Sequence, residues 1–133
     1  MREFPEADWK VLRKVRETAL ESFCERILNQ LVRASSDTSK SFHERYLSVW
    51  RLLKKHDKQL ADAFDDPRRS HAYEQLALMY SLRLISQQEL QKFSSDTQDV
   101  IKMLMGACPL VWLAGLPNTR SGLALALLAL IIW

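Results

Sequence analysis

Apolar residues recur at three- and four-residue intervals through most of the first hundred positions, which is the spacing of amphipathic α-helices. The first such run predicts a helix over about residues 8–33, with Glu6 and Asp8 near its positive end. A polar stretch of small residues over 34–40 then predicts a loop. The apolar stripe of this first helix comprises Leu12, Val15, Ala19, Leu20, Phe23, Ile27, Leu28 and Leu31.

A second helix is predicted over residues 41–64, because Ser41 and Glu44 have the Ser-x-x-Glu spacing of a capping box. We expect Trp50 to pack in the core, as we do Trp9 of the first helix, because both lie on apolar stripes. The stripe of the second helix comprises Tyr46, Val49, Trp50, Leu53, Leu60, Ala61 and Phe64.

A third helix is predicted over residues 67–84, with Asp66 as its N-cap and Pro67 at its first position. A second Ser-x-x-Glu pattern begins at Ser86, and another polar start begins at Ser95. These two signals predict one or two short helices near residues 86–104 that close one end of the bundle.

The expected fold is therefore all-α: a small antiparallel bundle of three main helices plus one or two short C-terminal helices, with an apolar tail. Only three glycines and four prolines occur in 133 residues, which favours long helices over many short strands. We expect one helical domain over 1–105 and a separate tail over 106–133.

The tail is set apart by charge. Every Asp and Glu lies at or before Asp99, and Arg120 is the only charged residue after Lys102. Its two uncharged runs, at 103–116 and 123–133, are each shorter than the roughly 20 residues of a membrane-spanning helix. Three interpretations stay open: a membrane hairpin or interfacial anchor, a segment packed on the bundle, and an appended segment that the domain does not need.

No motif predicts catalysis, a metal site or a cofactor. The three histidines lack the spacing of known metal-binding motifs, and all three glycines lie in the tail, which excludes a Gly-rich phosphate loop. Cys24 and Cys108 are expected to be reduced thiols, with Cys24 buried beside the first stripe. The N-terminus has no apolar core of a secretory signal, so we expect a cytoplasmic protein. Because no catalytic motif occurs, we also expect a non-enzymatic protein.

One basic pattern is a candidate binding feature. Arg51, Lys54, Lys55 and Lys58, here called the basic stripe, recur with helical spacing on the second helix. Arg68 and Arg69 follow in an acidic-then-basic turn, where a salt-bridged corner is the simpler explanation. The basic stripe suits phosphates of nucleic acid or anionic lipid, whereas the simplest interpretation is a solvated helix face.

The leading functional hypothesis is an interaction or regulatory module that binds another protein, or its own copy, through a helical face. The first alternative is a nucleic-acid-binding accessory protein that uses the basic stripe. The second is a peripheral membrane protein held by residues 103–133. The net charge of only +3 permits an acidic partner without requiring one.

Overall fold

A computed structural model describes residues 2–106, which form five α-helices and one short 3₁₀ turn and contain no strand. The predicted all-α class is confirmed. Residues 103–106, which begin the first uncharged run, belong to α5, whereas the rest of the apolar tail, with Cys108, lies beyond Gly106, outside the described part. The elements are α1 (Glu6–Ser36), α2 (Phe42–Phe64), a 3₁₀ turn (Arg69–His71), α3 (Ala72–Ser81), α4 (Gln87–Leu90) and α5 (Ser95–Gly106).

The two long helices form an antiparallel hairpin. The guanidinium of Arg16 donates to the carbonyl of Phe64, so the start of α1 lies beside the end of α2. Toward the other end, Arg45 Nη1 donates to the Ser35 carbonyl at 3.0 Å. The helix α1 extends past both predicted ends, from Glu6 to Ser36. At its start, the Pro5 carbonyl accepts from Trp9 N–H at 2.9 Å. At its end, the Ser35 hydroxyl donates to the Val32 carbonyl at 3.0 Å.

The start of the third helix differs from the prediction. Asp66 has a left-handed backbone (φ 50°), and its carboxylate accepts from Arg68 Nε at 2.7 Å instead of capping a helix. The chain stays extended at Arg68, turns through the 3₁₀ segment and enters α3 at Ala72. The prediction of Asp66 as N-cap was wrong, because the left-handed residue reverses the chain before a helix can begin.

The end of α3 also precedes the predicted end at residue 84. Arg83 is left-handed (φ 58°), and its N–H donates to the Tyr80 carbonyl at 3.0 Å. Leu84 N–H donates to the Met79 carbonyl at 3.0 Å, which completes a Schellman motif with a residue other than glycine at its left-handed position. The sequence did not indicate this helix end, because the usual signal is a glycine at the left-handed position.

The short helices close the bundle as predicted. Ser86 and Glu89 form both hydrogen bonds of the predicted capping box. The helix α5 begins at Ser95, as predicted, and Ser94 caps it, because the Ser94 Oγ accepts from Thr97 N–H at 3.4 Å.

The core lies at one end of the hairpin. The buried residues of α1 end at Ile27, and the only buried residues of α2 are Ala63 and Phe64. The helices α3, α4 and α5 pack there and supply Tyr73, Leu76, Met79, Leu90 and Ile101, and the segment between α4 and α5 supplies Phe93. We call residues 28–59 the hairpin tip: within it, no side chain is fully buried.

The structure contradicts the prediction that Trp50 is a core residue. Its side chain is 57% exposed, whereas Trp9 is partly buried and packs against the core. The two tryptophans lie on equally apolar stripes, but α3 to α5 cover only the end of the hairpin that contains Trp9. The length of these later helices, not the pattern of α2, leaves Trp50 uncovered.

The predicted capping box of α2 supports a first stability prediction. Ser41 Oγ accepts from Glu44 N–H at 3.2 Å, so Ser41→Ala is expected to lower the free energy of unfolding by about 1 kcal/mol. Urea denaturation followed by circular dichroism measures the change. Ser22→Ala, an exposed serine inside α1, is the matched control and should leave stability equal or slightly higher. Equal losses in both variants would contradict the capping role.

Candidate protein-docking surface

Exposed apolar side chains are concentrated on one face of the hairpin tip. We call this surface the tip face. Exposure on its α2 side runs from 84% at Phe42 to 44% at Leu53. Sequence reasoning assigned most of these residues to core stripes. The tip face consists of Leu28 and Val32 of α1 and Phe42, Tyr46, Trp50 and Leu53 of α2.

An apolar groove of about 300 Å³ connects the tip face to the body of the protein. Tyr46 and Trp50 lie seven residues before two groove residues, Leu53 and Asp57, so they extend the same side of α2. The groove is lined by Cys24, Ile27, Leu28 and Leu31 of α1 and by Leu53, His56, Asp57 and Leu60 of α2.

The geometry of α2 explains why its aromatic residues are exposed. The helix contacts α1 through the side that contains Arg45 and His56, both half-buried. Phe42 and Tyr46 lie on the adjacent side, together with Trp50. The apolar arc of α2 is therefore wider than its contact with α1, and a two-helix hairpin has no third layer to cover the remainder.

Local contacts hold the tip face in place. The Arg45 guanidinium stacks over the Phe42 ring, 4.4 Å from its centroid, while also bonding to α1. In the connecting loop, Asp37 accepts from the hydroxyl of Ser39 at 2.5 Å and from its backbone N–H at 3.1 Å. Phe42 is thus presented at a defined position, although little of its ring is buried.

The carboxylates of Asp37 and Glu44 accept hydrogen bonds in the loop before α2 and at the start of α2. The pKa of Asp37 is lowered by its hydrogen bonds from the side chain and backbone of Ser39. The pKa of Glu44 is lowered chiefly because its carboxylate accepts from Ser41 N–H, at 2.8 Å. Both shifts favour the carboxylate, so their contribution to stability is present above the ordinary pKa and is lost as the pH falls through the lowered one.

A polar cross-link forms part of the groove wall. The His56 ring nitrogens lie 2.9 Å from the Gln59 amide oxygen and 3.0 Å from that of Gln30. The same ring packs edge-on against Phe23, with 6.0 Å between centroids. Cys24, which was expected to be buried, is only half-buried here. His56 thus fixes the spacing of α1 and α2 where the groove begins.

The basic stripe borders the tip face. Lys54 is four residues after Trp50, so its ammonium lies on the adjoining strip of α2, and all four members of the stripe are exposed. Lys58 pairs with Asp62 at 3.4 Å. Within residues 2–106, Arg51, Lys54 and Lys55 have no acidic partner. An uncompensated cation, Lys54, therefore lies beside uncovered apolar surface.

The structure does not bring Arg68 and Arg69 into this surface. Arg69 pairs with Glu6 at 3.0 Å and donates to the Phe4 carbonyl at 2.8 Å, which ties the N-terminal segment to the turn after α2. Arg68 pairs with Asp66 in the same turn. These two arginines form a salt-bridged corner at the opposite end of α2 from the tip face.

A second cleft, between α1 and the turn after α2, has a different character. Its lining includes Arg16 and Gln75, whose side chains donate to the carbonyls of Phe64 and Asp65. Those polar groups connect the helices of the body.

Among residues 2–106, no group of three or more potential metal ligands occurs. In the same range, no helix is long and apolar enough to cross a membrane.

Comparison with known proteins adds no relative to this description: no family model, curated protein or solved structure matches the chain.

Proposed function

We propose that this protein is a non-enzymatic interaction module that binds another protein through the tip face. The observation that carries this proposal is the concentration of exposed apolar residues on one face of a projecting hairpin. Large exposed apolar patches rimmed by polar residues are typical of interaction surfaces. Tryptophan and tyrosine, which this surface presents at Trp50 and Tyr46, are among the residues enriched in binding hot spots.

The division of the molecule supports the proposal. The body buries its apolar residues under α3, α4 and α5, whereas the tip has a preorganised but uncovered surface. A rigid, presented surface binds with a smaller entropic cost than one that must first order itself. A cytoplasmic location is part of the proposal, in keeping with the free thiol of Cys24.

Affinity capture of the full chain tests the proposal. We expect Tyr46→Ser combined with Trp50→Ser to weaken partner binding at least about tenfold, since both remove exposed anchor side chains. The partner is identified by mass spectrometry and its affinity is then measured with purified proteins. Met103→Ser removes an equally exposed apolar side chain, 67% exposed on α5, and is the matched control.

Identical partners and affinities for wild type and the Tyr46/Trp50 variant would contradict a docking role of the tip face.

The basic stripe supports a second candidate function, nucleic-acid binding, because three of its cations lack acidic partners in the described chain. That candidate requires retention on RNA or DNA that falls steeply with salt and with Lys54→Glu plus Lys55→Glu.

A further inference from the structure

The hairpin tip has the geometry of an incomplete helical bundle. Two antiparallel helices leave a lengthwise groove between them, and a third helix is the element that fills such a groove in bundles. The described groove and tip face extend along α2 from Phe42 to Leu60. That distance is about 27 Å at 1.5 Å per residue, so it accommodates about five turns of a helix.

The charge of the hairpin tip indicates which charge the side chains flanking the apolar stripe of such a third helix would have. Basic residues outnumber acidic ones over residues 28–58, and Asp37 and Glu44 are engaged in the turn and the capping box. Opposite charges across an interface favour association and fix the register of the partner. The basic residues are Arg33, Lys40, Arg45, Arg51, Lys54, Lys55 and Lys58, and the acidic residues are Asp37, Glu44 and Asp57.

Extending the proposed docking role, on which this step rests, we infer that the occupant is an amphipathic helix of a partner protein with acidic side chains flanking its apolar stripe. Its apolar stripe lies in the groove and against Trp50, and its carboxylates face the basic stripe. A second copy of this chain fits less well, because its own tip is basic. Residues 107–133 fit less well too, since their only charged residue is Arg120.

A selection among displayed helices tests this inference on the full chain. The probe is a phage library of amphipathic helices of about 20 residues with a fixed leucine stripe and with Glu, Gln or Lys at each flanking position. We expect the selected helices to be enriched in Glu on the flank next to the stripe. The best peptide is then synthesised, and its affinity is measured by fluorescence anisotropy.

Charge reversal provides the matched comparison. Lys54→Glu plus Lys58→Glu should weaken the selected peptide at least about tenfold and shift the selection toward Lys. Lys10→Glu plus Lys14→Glu makes the same change of charge on exposed positions of α1 within the body, and should leave the affinity unchanged. The weakening should also shrink as the salt concentration rises.

The other outcomes overturn the inference in distinguishable ways. Helices selected without a preference for Glu would end the acidic assignment while leaving the proposed docking function intact. If no helix bound the wild-type protein more tightly than the Tyr46/Trp50 serine variant, the assignment to a helical partner would end, and the affinity capture would decide the docking function separately. Concentration-dependent dimerisation lost in that variant would assign the face to a second copy. Sedimentation with phosphatidylcholine vesicles containing about 30% phosphatidylserine, lost in the same variant, would assign it to a lipid surface.

Discussion

Leu76→Ala is expected to lower the free energy of unfolding by about 3 kcal/mol. Leu76 is fully buried on α3, the helix that contacts α1, α2 and α5 together. Removing its side chain loses the free energy of burial and leaves a cavity that packed neighbours fill only in part. Urea denaturation, followed by circular dichroism and by tryptophan fluorescence, measures the loss.

Leu28→Ala is the matched control, because it makes the same chemical change on the tip face. Leu28 is 61% exposed in a helix, so its loss should change the free energy of unfolding by less than about 0.5 kcal/mol. Its effect should instead appear in partner binding. Comparable destabilisation by the two alanines would show that the tip is covered in the free protein, contrary to the proposed function.

Asp8→Ala is expected to lower the free energy of unfolding by about 3 kcal/mol. This loss is similar to that of Leu76→Ala, but it comes from polar contacts. The Asp8 side chain is 3% exposed, and its carboxylate connects the start of α1 to the start of α5. It accepts from Ser94 N–H at 2.9 Å, from Ser94 Oγ at 2.6 Å and from Thr97 Oγ1 at 2.5 Å. Alanine would leave the buried Thr97 hydroxyl and the two Ser94 donors without their acceptor.

The chain offers a control and a cross-check for this prediction. Asp62→Ala removes a carboxylate from an exposed ion pair with Lys58 and should cost less than about 1 kcal/mol. Asp8→Asn should lose less than Asp8→Ala, since its amide oxygen still accepts one hydrogen bond. In a double-mutant cycle, Asp8→Ala and Ser94→Ala should show a coupling of about 1 kcal/mol or more. Additive losses would refute the assigned network.

Helix identity was predictable from the sequence because it depends on local information. The capping boxes at Ser41 and Ser86 were predicted correctly, since their hydrogen bonds join residues only three positions apart. The ends of the third helix were predicted wrongly. A left-handed residue precedes α3 and another follows it, Asp66 and Arg83, in a backbone conformation that residues other than glycine rarely adopt.

The role of Asp8 shows the same limit for a charged residue. Its position at the start of α1 indicated an acid favoured by the helix dipole. The structure places it inside, as the acceptor for a serine and a threonine that lie more than eighty residues later in the chain. Nothing local to Asp8 specifies such a partner.

The sequence alone determined that the described chain is a set of amphipathic helices with capping boxes at Ser41 and Ser86, because periodicity and caps are local properties. It also located the basic stripe on one helix. Tertiary structure decided which apolar residues are covered. The helices α3 to α5 extend over only one end of the α1–α2 hairpin, so Phe23 and Phe64 are buried while Trp50 stays exposed. Burial depends on the reach of neighbouring elements, which the pattern of a single helix does not encode.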